Sequence, residues 1–153
     1  MESRDSRTFV LVKPDGVQRR LVSDVMGRFE KRGLKLCGLK FLNAPNELLK
    51  EHYAEHEGKP FYSKLVQYVG SGPVVAMCWE GSNAVDIGRR LIGSTKPSES
   101  PAGTIRGDLG LDVGRNIVHG SDSAESAKRE LDLWFNQNET VSWSDSLINW
   151  LYE

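Results

Sequence analysis

Two cysteines among 153 residues, Cys37 and Cys78, leave no material for a disulfide framework. Each sits in an apolar run, LKLCGLKFL or VVAMCWE, and both are expected as buried, reduced thiols. The net charge is only −1, which argues against the basic footprint of a nucleic-acid binder. No apolar run approaches the roughly 20 residues that a membrane-spanning helix needs. The first residues, MESRDSRTF, are charged and lack the apolar stretch of a signal peptide. These absences predict a soluble, cytoplasmic protein that requires neither membrane nor nucleic acid. The common phosphate-binding loops are missing too. There is no GxxxxGKS or GxxxxGKT run and no strand-linked GxGxxG. No cysteine–histidine set has zinc spacing, so no protein-held metal is expected.

What is present is an ordinary globular composition, 39% apolar and 27% charged. The length suits one domain spanning residues 1–153. Thr8–Lys13 (TFVLVK) reads as a strand ending at the turn sequence Pro14-Asp15-Gly16. Val22, Val25, Met26 and Phe29 give helical spacing over Leu21–Gly33, with Gly33 as its stop. Leu34–Asn43 reads as a second strand. Lys35 and Lys40 lie an odd number of positions apart, so strict alternation cannot put both in water, and a bulge near Gly38 would restore the phase. Helices are expected over Asn46–Tyr53 and Pro60–Val69, the second with proline in its first turn. Pro73–Glu80 is the most continuous apolar strand and hence central. Asn83–Leu91 reads as a helix capped by Asn83 and Asp86. Ser94–Gly103 reads as a surface loop, Ile117–His119 as a short fourth strand, and Asp122–Phe135 as a final amphipathic helix. The tail from Asn136 has weak periodicity. This order predicts an α+β fold with a ferredoxin-like split β-α-β core: a four-stranded antiparallel sheet covered by helices on one face.

The densest cluster of chemistry is GTIRGDLGLDVGRNIVHGSD, residues 103–122. His119 ends the last strand beside a helix start at Ser121-Asp122-Ser123, a position suited to chemistry on an anion. Histidine can act as a nucleophile. Without a phosphate loop, discrete side chains must hold any phosphates. Lys13, Arg89, Arg90, Thr95, Arg106 and Arg115 are the candidates. Lys13 ends a strand, and Arg106 lies in a glycine-rich loop. His52 and His56 read as structural or solvated. Tyr53 and Phe61 suit packing, and an exposed Phe61 would suit base stacking. Glu130 is either a solvated helix charge or a carboxylate orienting His119.

The segments VKPDGVQR (12–19), KPFY (59–62), SGPVVAM-WEG (71–81), GTIRGD (103–108) and GRNIVHGSDS (114–123) closely resemble nucleoside diphosphate kinases. The resemblance runs from about Arg7 to Glu153. It implies transfer of the γ-phosphate of a nucleoside triphosphate to a nucleoside diphosphate, with Mg²⁺ held mainly by the phosphates and little base selectivity. His119 would be the nucleophile of a ping-pong mechanism through a phosphohistidine. Glu130 and Ser121 would orient it. Lys13 would contact the ribose 3′-hydroxyl and the transferring phosphate, and Asn116 the ribose. Arg89, Thr95 and Arg106 would hold phosphates, with Tyr53 near the γ-phosphate. Phe61 and Val113 would sandwich the base. Pro97 and the terminal NWLYE resemble long-tailed members, which are typically hexamers. Arg20, Leu109 and the Pro101-Ala102 pair depart from the usual pattern at positions with no assigned catalytic role. Neither a mid-helix carrier histidine nor an Arg-His-Gly phosphatase motif is present, and the strands lack the aromatics of an RNA-recognition domain.

Overall fold

The computed structural model describes residues 3–153. Along the chain run β1 (Arg7–Val12), α1 (Pro14–Gln18), α2 (Val22–Arg32), β2 (Lys35–Leu42), α3 (Asn46–His52), α4 (Tyr62–Val69), β3 (Val74–Glu80), α5 (Ala84–Ile92), α6 (Ile105–Leu109), β4 (Val118–Gly120), α7 (Ala124–Trp134) and α8 (Ile148–Leu151). The four strands form one antiparallel sheet in the order β2-β3-β1-β4.

Helices cover both faces of this sheet, where one was expected. The reason lies in the central strands. Every residue of β3 is buried, as are five of the six in β1, and a strand that is apolar at both parities needs cover on each side. One face carries Phe9, Leu11, Ala76 and Cys78 against Leu49, Val66 and Trp134 of α3, α4 and α7. The other carries Val10, Val12, Met77 and Trp79 against Val25 and Phe29 of α2, Ile92 of α5 and Ile105 of α6. Stacked rings anchor each layer: Phe9 on Trp134 and Phe29 on Trp79, both with centroids 5.3 Å apart.

The anticipated bulge is present. Leu36 pairs with Trp79 and Gly38 with Cys78, so Cys37 is the extra residue. Lys35 and Lys40 both keep their charges at the surface, paired with Glu80 at 2.9 Å and Glu139 at 3.0 Å. The bulge also frees the Cys37 carbonyl, which accepts the Val141 N–H at 2.7 Å. That bond, and one from Trp143 Nε1 to the Leu36 carbonyl at 2.9 Å, dock the tail whose sequence has little periodicity.

Several local expectations fail for identifiable reasons. Pro60 lies before α4, and Phe61 occupies its N-cap position. Asn83 sits in the left-handed region at φ 56° and makes no side-chain cap, so it forms no pair with Asp86. Pro14-Asp15-Gly16 opens a short helix rather than a simple turn. Thr104 caps α6 by accepting the Gly107 N–H, and Ser94–Gly103 contains a 3-10 turn at Pro97–Glu99. Gly33 does end α2, at φ 103°.

Gly38 tests the packing behind the bulge. A β-carbon there would lie 3.0 Å from the Phe135 ring and 3.1 Å from Cys78 Cβ. Gly38→Ala is expected to lower stability by about 1–3 kcal/mol through overpacking. A urea titration that leaves the midpoint unchanged would show that the ring yields freely.

Candidate active site

A cleft of about 370 Å³ opens at the end of the sheet where β1 and β4 deliver Lys13 and His119. Its walls include His52, Tyr53, Arg89, Thr95, Arg106, Asn116, Asp122 and Glu130. Pairing of Leu11 with His119 puts the imidazole beside the C-terminal end of β1.

His119 is held from behind. Its Nε2 lies 2.8 Å from Glu130 Oε2. The Ser121 hydroxyl donates to Glu130 Oε1 at 2.6 Å, and Ser121 Oγ lies 3.3 Å from the Phe9 N–H. Glu130 is 4% exposed on α7, not a solvated helix charge. Burial alone would raise its pKa, but hydrogen bonds from His119 and Ser121 outweigh it and hold the carboxyl below its usual range. With Nε2–H given to the carboxylate, the Nδ1 lone pair of His119 has no protein partner among the described residues.

His52, expected as structural or solvated, is buried and stands in the cleft wall, a place its local sequence does not signal. Its ring meets that of His119 edge-on at 4.8 Å. Trp134 Nε1–H donates to His52 Nδ1 at 3.0 Å, leaving the proton of the neutral ring on Nε2. That Nε2 has no hydrogen-bond partner among the described residues and stands 3.7 Å from Glu130 Oε2. Burial, helped by neighbouring His119, pushes the His52 pKa down to about 3. His56 also lines the cleft and is partly covered rather than solvated.

Cations form the opposite wall. Burial, and then Arg106, lower the Lys13 pKa to about 8. Lys13 Nζ donates to Asn116 Oδ1, and Asn116 Nδ2 donates to the Thr95 carbonyl at 2.9 Å. Burial and then Arg89 lower the Arg106 pKa to about 10. Arg106 spends its donors on the backbone, reaching the Asn116 carbonyl at 3.1 Å and the Val118 carbonyl at 2.6 Å. Arg89 is exposed and makes no such bonds among the described residues. Burial and then Glu130 raise the pKa of Tyr53 above its ordinary value.

Four candidates stand elsewhere, among them Arg90, which is exposed and does not line the cleft. Phe61 and Val113 are about half exposed and do not line the cleft. Arg115 lies over the Tyr68 ring at 3.9 Å. Ile117, expected in the last strand, has φ 76°, and Val118 N–H bonds to the Asn116 carbonyl at 2.8 Å. These features define a γ-turn of the rare, strained class.

The sequence model of the family described as nucleoside diphosphate kinase matches residues 6–140. The chain belongs to the nucleoside diphosphate kinase family. It is 56% identical over 147 residues to the nucleoside diphosphate kinase of Staphylococcus epidermidis, covering 96% of this chain and 99% of that one. It is 53% identical to that of Saccharomyces cerevisiae over the full length of both. A halophilic nucleoside diphosphate kinase from Halobacterium salinarum, solved in complex with CDP, superposes with a TM-score of 0.95 at 50% identity, covering 97% and 99% of the two chains. The fold is accordingly that of the nucleoside diphosphate kinases, and the chain is a nucleotide-binding phosphotransferase.

Burial of His52 makes the fold of this kinase sensitive to acid. As pH falls below 6.5 the unfolded chain binds a proton that folded His52 refuses, so stability declines until about pH 3. Glu130, whose carboxyl is also held low, acts in the same direction. Unfolding free energy is expected to drop by roughly 1–2 kcal/mol between pH 7 and pH 5. His52→Gln should flatten that slope, and an unchanged slope in urea titrations would remove His52 as its source.

Proposed function

We propose that this nucleoside diphosphate kinase works by a ping-pong mechanism through a phosphohistidine at His119. The observation carrying the proposal is the Nε2–Glu130 bond, which leaves the Nδ1 lone pair on the cleft side of the catalytic machinery. Nδ1 attacks the γ-phosphorus, a P–N bond forms, and the P–O bond to the leaving diphosphate breaks with its electron pair going to that oxygen. An acceptor diphosphate then reverses the step, its terminal oxygen taking the phosphoryl group from Nδ1. The imidazole keeps its Nε2 proton throughout, and Glu130 offsets the positive charge that builds on the ring. Ser121 holds the carboxylate in place. Lys13, Arg89 and Arg106 are placed to neutralise phosphate charge, and Thr95, Asn116 and Tyr53 to shape the pocket around phosphate and ribose. Phe61 and Val113 remain proposed as the contacts for the base at the rim, with little base selectivity because neither offers an edge-reading polar group.

Mg²⁺ is proposed as the cofactor, and the donor set decides how it would be held. The three-group cluster His52, His119 and Glu130 is drawn into hydrogen bonds and offers mostly nitrogen, whereas Mg²⁺ prefers oxygen ligands and retained waters. The cleft therefore suits an ion held mainly by nucleotide phosphates, with Asp122 and Glu55 as the other carboxylates in the wall. Bound there, Mg²⁺ would neutralise phosphate charge.

The whole chain is proposed to act as one domain and to assemble as a homo-hexamer in the cytoplasm. The part of β2 beyond the docked tail supports assembly, since it presents Leu39 and Phe41 at 49% and 69% exposure. Free, buried Cys37 and Cys78 suit a reducing compartment. No helix among the described residues is long and apolar enough to cross a membrane.

His119→Ala should abolish transfer while retaining diphosphate binding, and Glu130→Gln should slow His119 phosphorylation about ten- to a thousand-fold. Labelled triphosphate followed by rapid quench reads both, and wild-type rates in either variant would refute its assigned role. Sedimentation equilibrium should give the mass of six chains, with Phe41→Glu reducing it. A monomeric wild type would end the assembly proposal.

A further inference from the structure

The side chain of Ile117 is fully buried, and its backbone is bolted at both ends to the junction of β1 and α1. Its N–H donates to Asp15 Oδ2 at 2.9 Å, and its carbonyl accepts the Lys13 N–H at 2.8 Å. Gly16 permits this approach, because a β-carbon there would lie 2.9 Å from the Ile117 carbonyl oxygen. The Asp15 carboxylate is braced in turn. The Tyr68 hydroxyl donates to its Oδ1, and the Arg115 guanidinium covers the Tyr68 ring. Asp15 itself does not line the cleft.

A β-branched residue at positive φ relaxes to negative φ unless its surroundings prevent it. Relaxation here would rotate the peptide planes on both sides of Ile117. The first of those planes carries the Asn116 carbonyl that accepts from Arg106 Nε, the second carries the Ile117 carbonyl that accepts the Lys13 N–H, and the Val118 carbonyl that accepts from Arg106 Nη2 lies one peptide further on. Asn116 also receives the Lys13 ammonium, and His119 follows Val118 directly. One carboxylate–amide bond thus lies behind three cleft side chains.

We propose that Asp15 is a positioning residue for phosphoryl transfer: braced by Tyr68, its carboxylate holds the Ile117 γ-turn in its strained form and so sets Lys13, Arg106 and His119 relative to one another. This rests on the reading of His119 as nucleophile. A purely electrostatic role is the competing account, since the Asp15 charge also favours protonated Lys13.

Four proteins separate the accounts: wild type, Asp15→Ala, Ile117→Gly and the double variant. Each is phosphorylated with labelled nucleoside triphosphate under rapid quench, and the label is mapped. Asp15→Ala should slow His119 phosphorylation about 10- to 100-fold, the scale of a misplacement near 1 Å. Its diphosphate affinity should stay within about threefold of wild type, the mark of lost positioning rather than lost binding. Glycine adopts positive φ freely, so the double variant should run within about threefold of Ile117→Gly alone. The loss should be constant from pH 6.5 to 9. An equal loss with and without Ile117, or a loss that deepens above pH 8 where Lys13 titrates, overturns the proposal. Should Asp15→Ala not fold, Tyr68→Phe tests the same brace, with a loss of about 3- to 10-fold that Ile117→Gly erases. A wild-type protein labelled elsewhere than His119 overturns the nucleophile reading and this proposal together, whereas correct labelling with an indifferent Asp15 overturns this proposal alone.

Discussion

The cleft depends on one buried carboxylate. Glu130 is cut off from water, where an unpaired charge is costly, and it meets that cost with an imidazole on one oxygen and a hydroxyl on the other. Those two partners belong to β4 and the turn after it, and the hydroxyl is tied on to β1 through Phe9. A solvated carboxylate could release the imidazole and bond to water instead. A buried one cannot turn to water, so the orientation of His119 is built into the packing of α7 against the sheet.

The facing wall shows the opposite condition. Lys13, Arg89 and Arg106 crowd one another, and both buried members hold their protons less firmly than they would in water. Their neighbours within the chain are carbonyls and an amide, with no carboxylate in direct contact. Negative charge entering this space relieves repulsion that the fold has already accepted, which is how a preorganised site favours an anion without moving. The two walls therefore divide the work. One holds the His119 ring through Nε2 and Glu130, and the other leaves buried positive charge unsatisfied, as the proposed reaction requires.

Much of this was readable in the chain. The alternation conflict between Lys35 and Lys40 pointed to a bulge near Gly38, because a period of two tolerates no odd offset, and the extra residue is its neighbour Cys37. The uninterrupted apolar run of β3 announced a central strand, although its second buried face was overlooked and with it the second helical layer. His119, Lys13 and Arg106 stood out because charged or catalytic residue types ended strands or sat among glycines. The missed features were those set by distant partners. Nothing near His52 signals that Trp134, eighty-two positions away, fixes its tautomer. Nothing in Asn-Ile-Val suggests a γ-turn, since isoleucine is among the least suited residues for it. Asp15 and Lys13, brought in from the junction of β1 and α1, bond both sides of that residue.

The pairing of β1 with β4 also sets an order of events. Phe9 and Ser121 are separated by 112 residues, so closing that contact restricts almost the whole chain. The contacts of β2 with β3, the nearest of the strand pairs in sequence, can form earlier at lower entropic cost. A polypeptide emerging from the ribosome carries Lys13 long before His119 exists to face it. The reactive groups therefore meet among the last steps of folding, and a prematurely terminated chain holds one half of the cleft without the other.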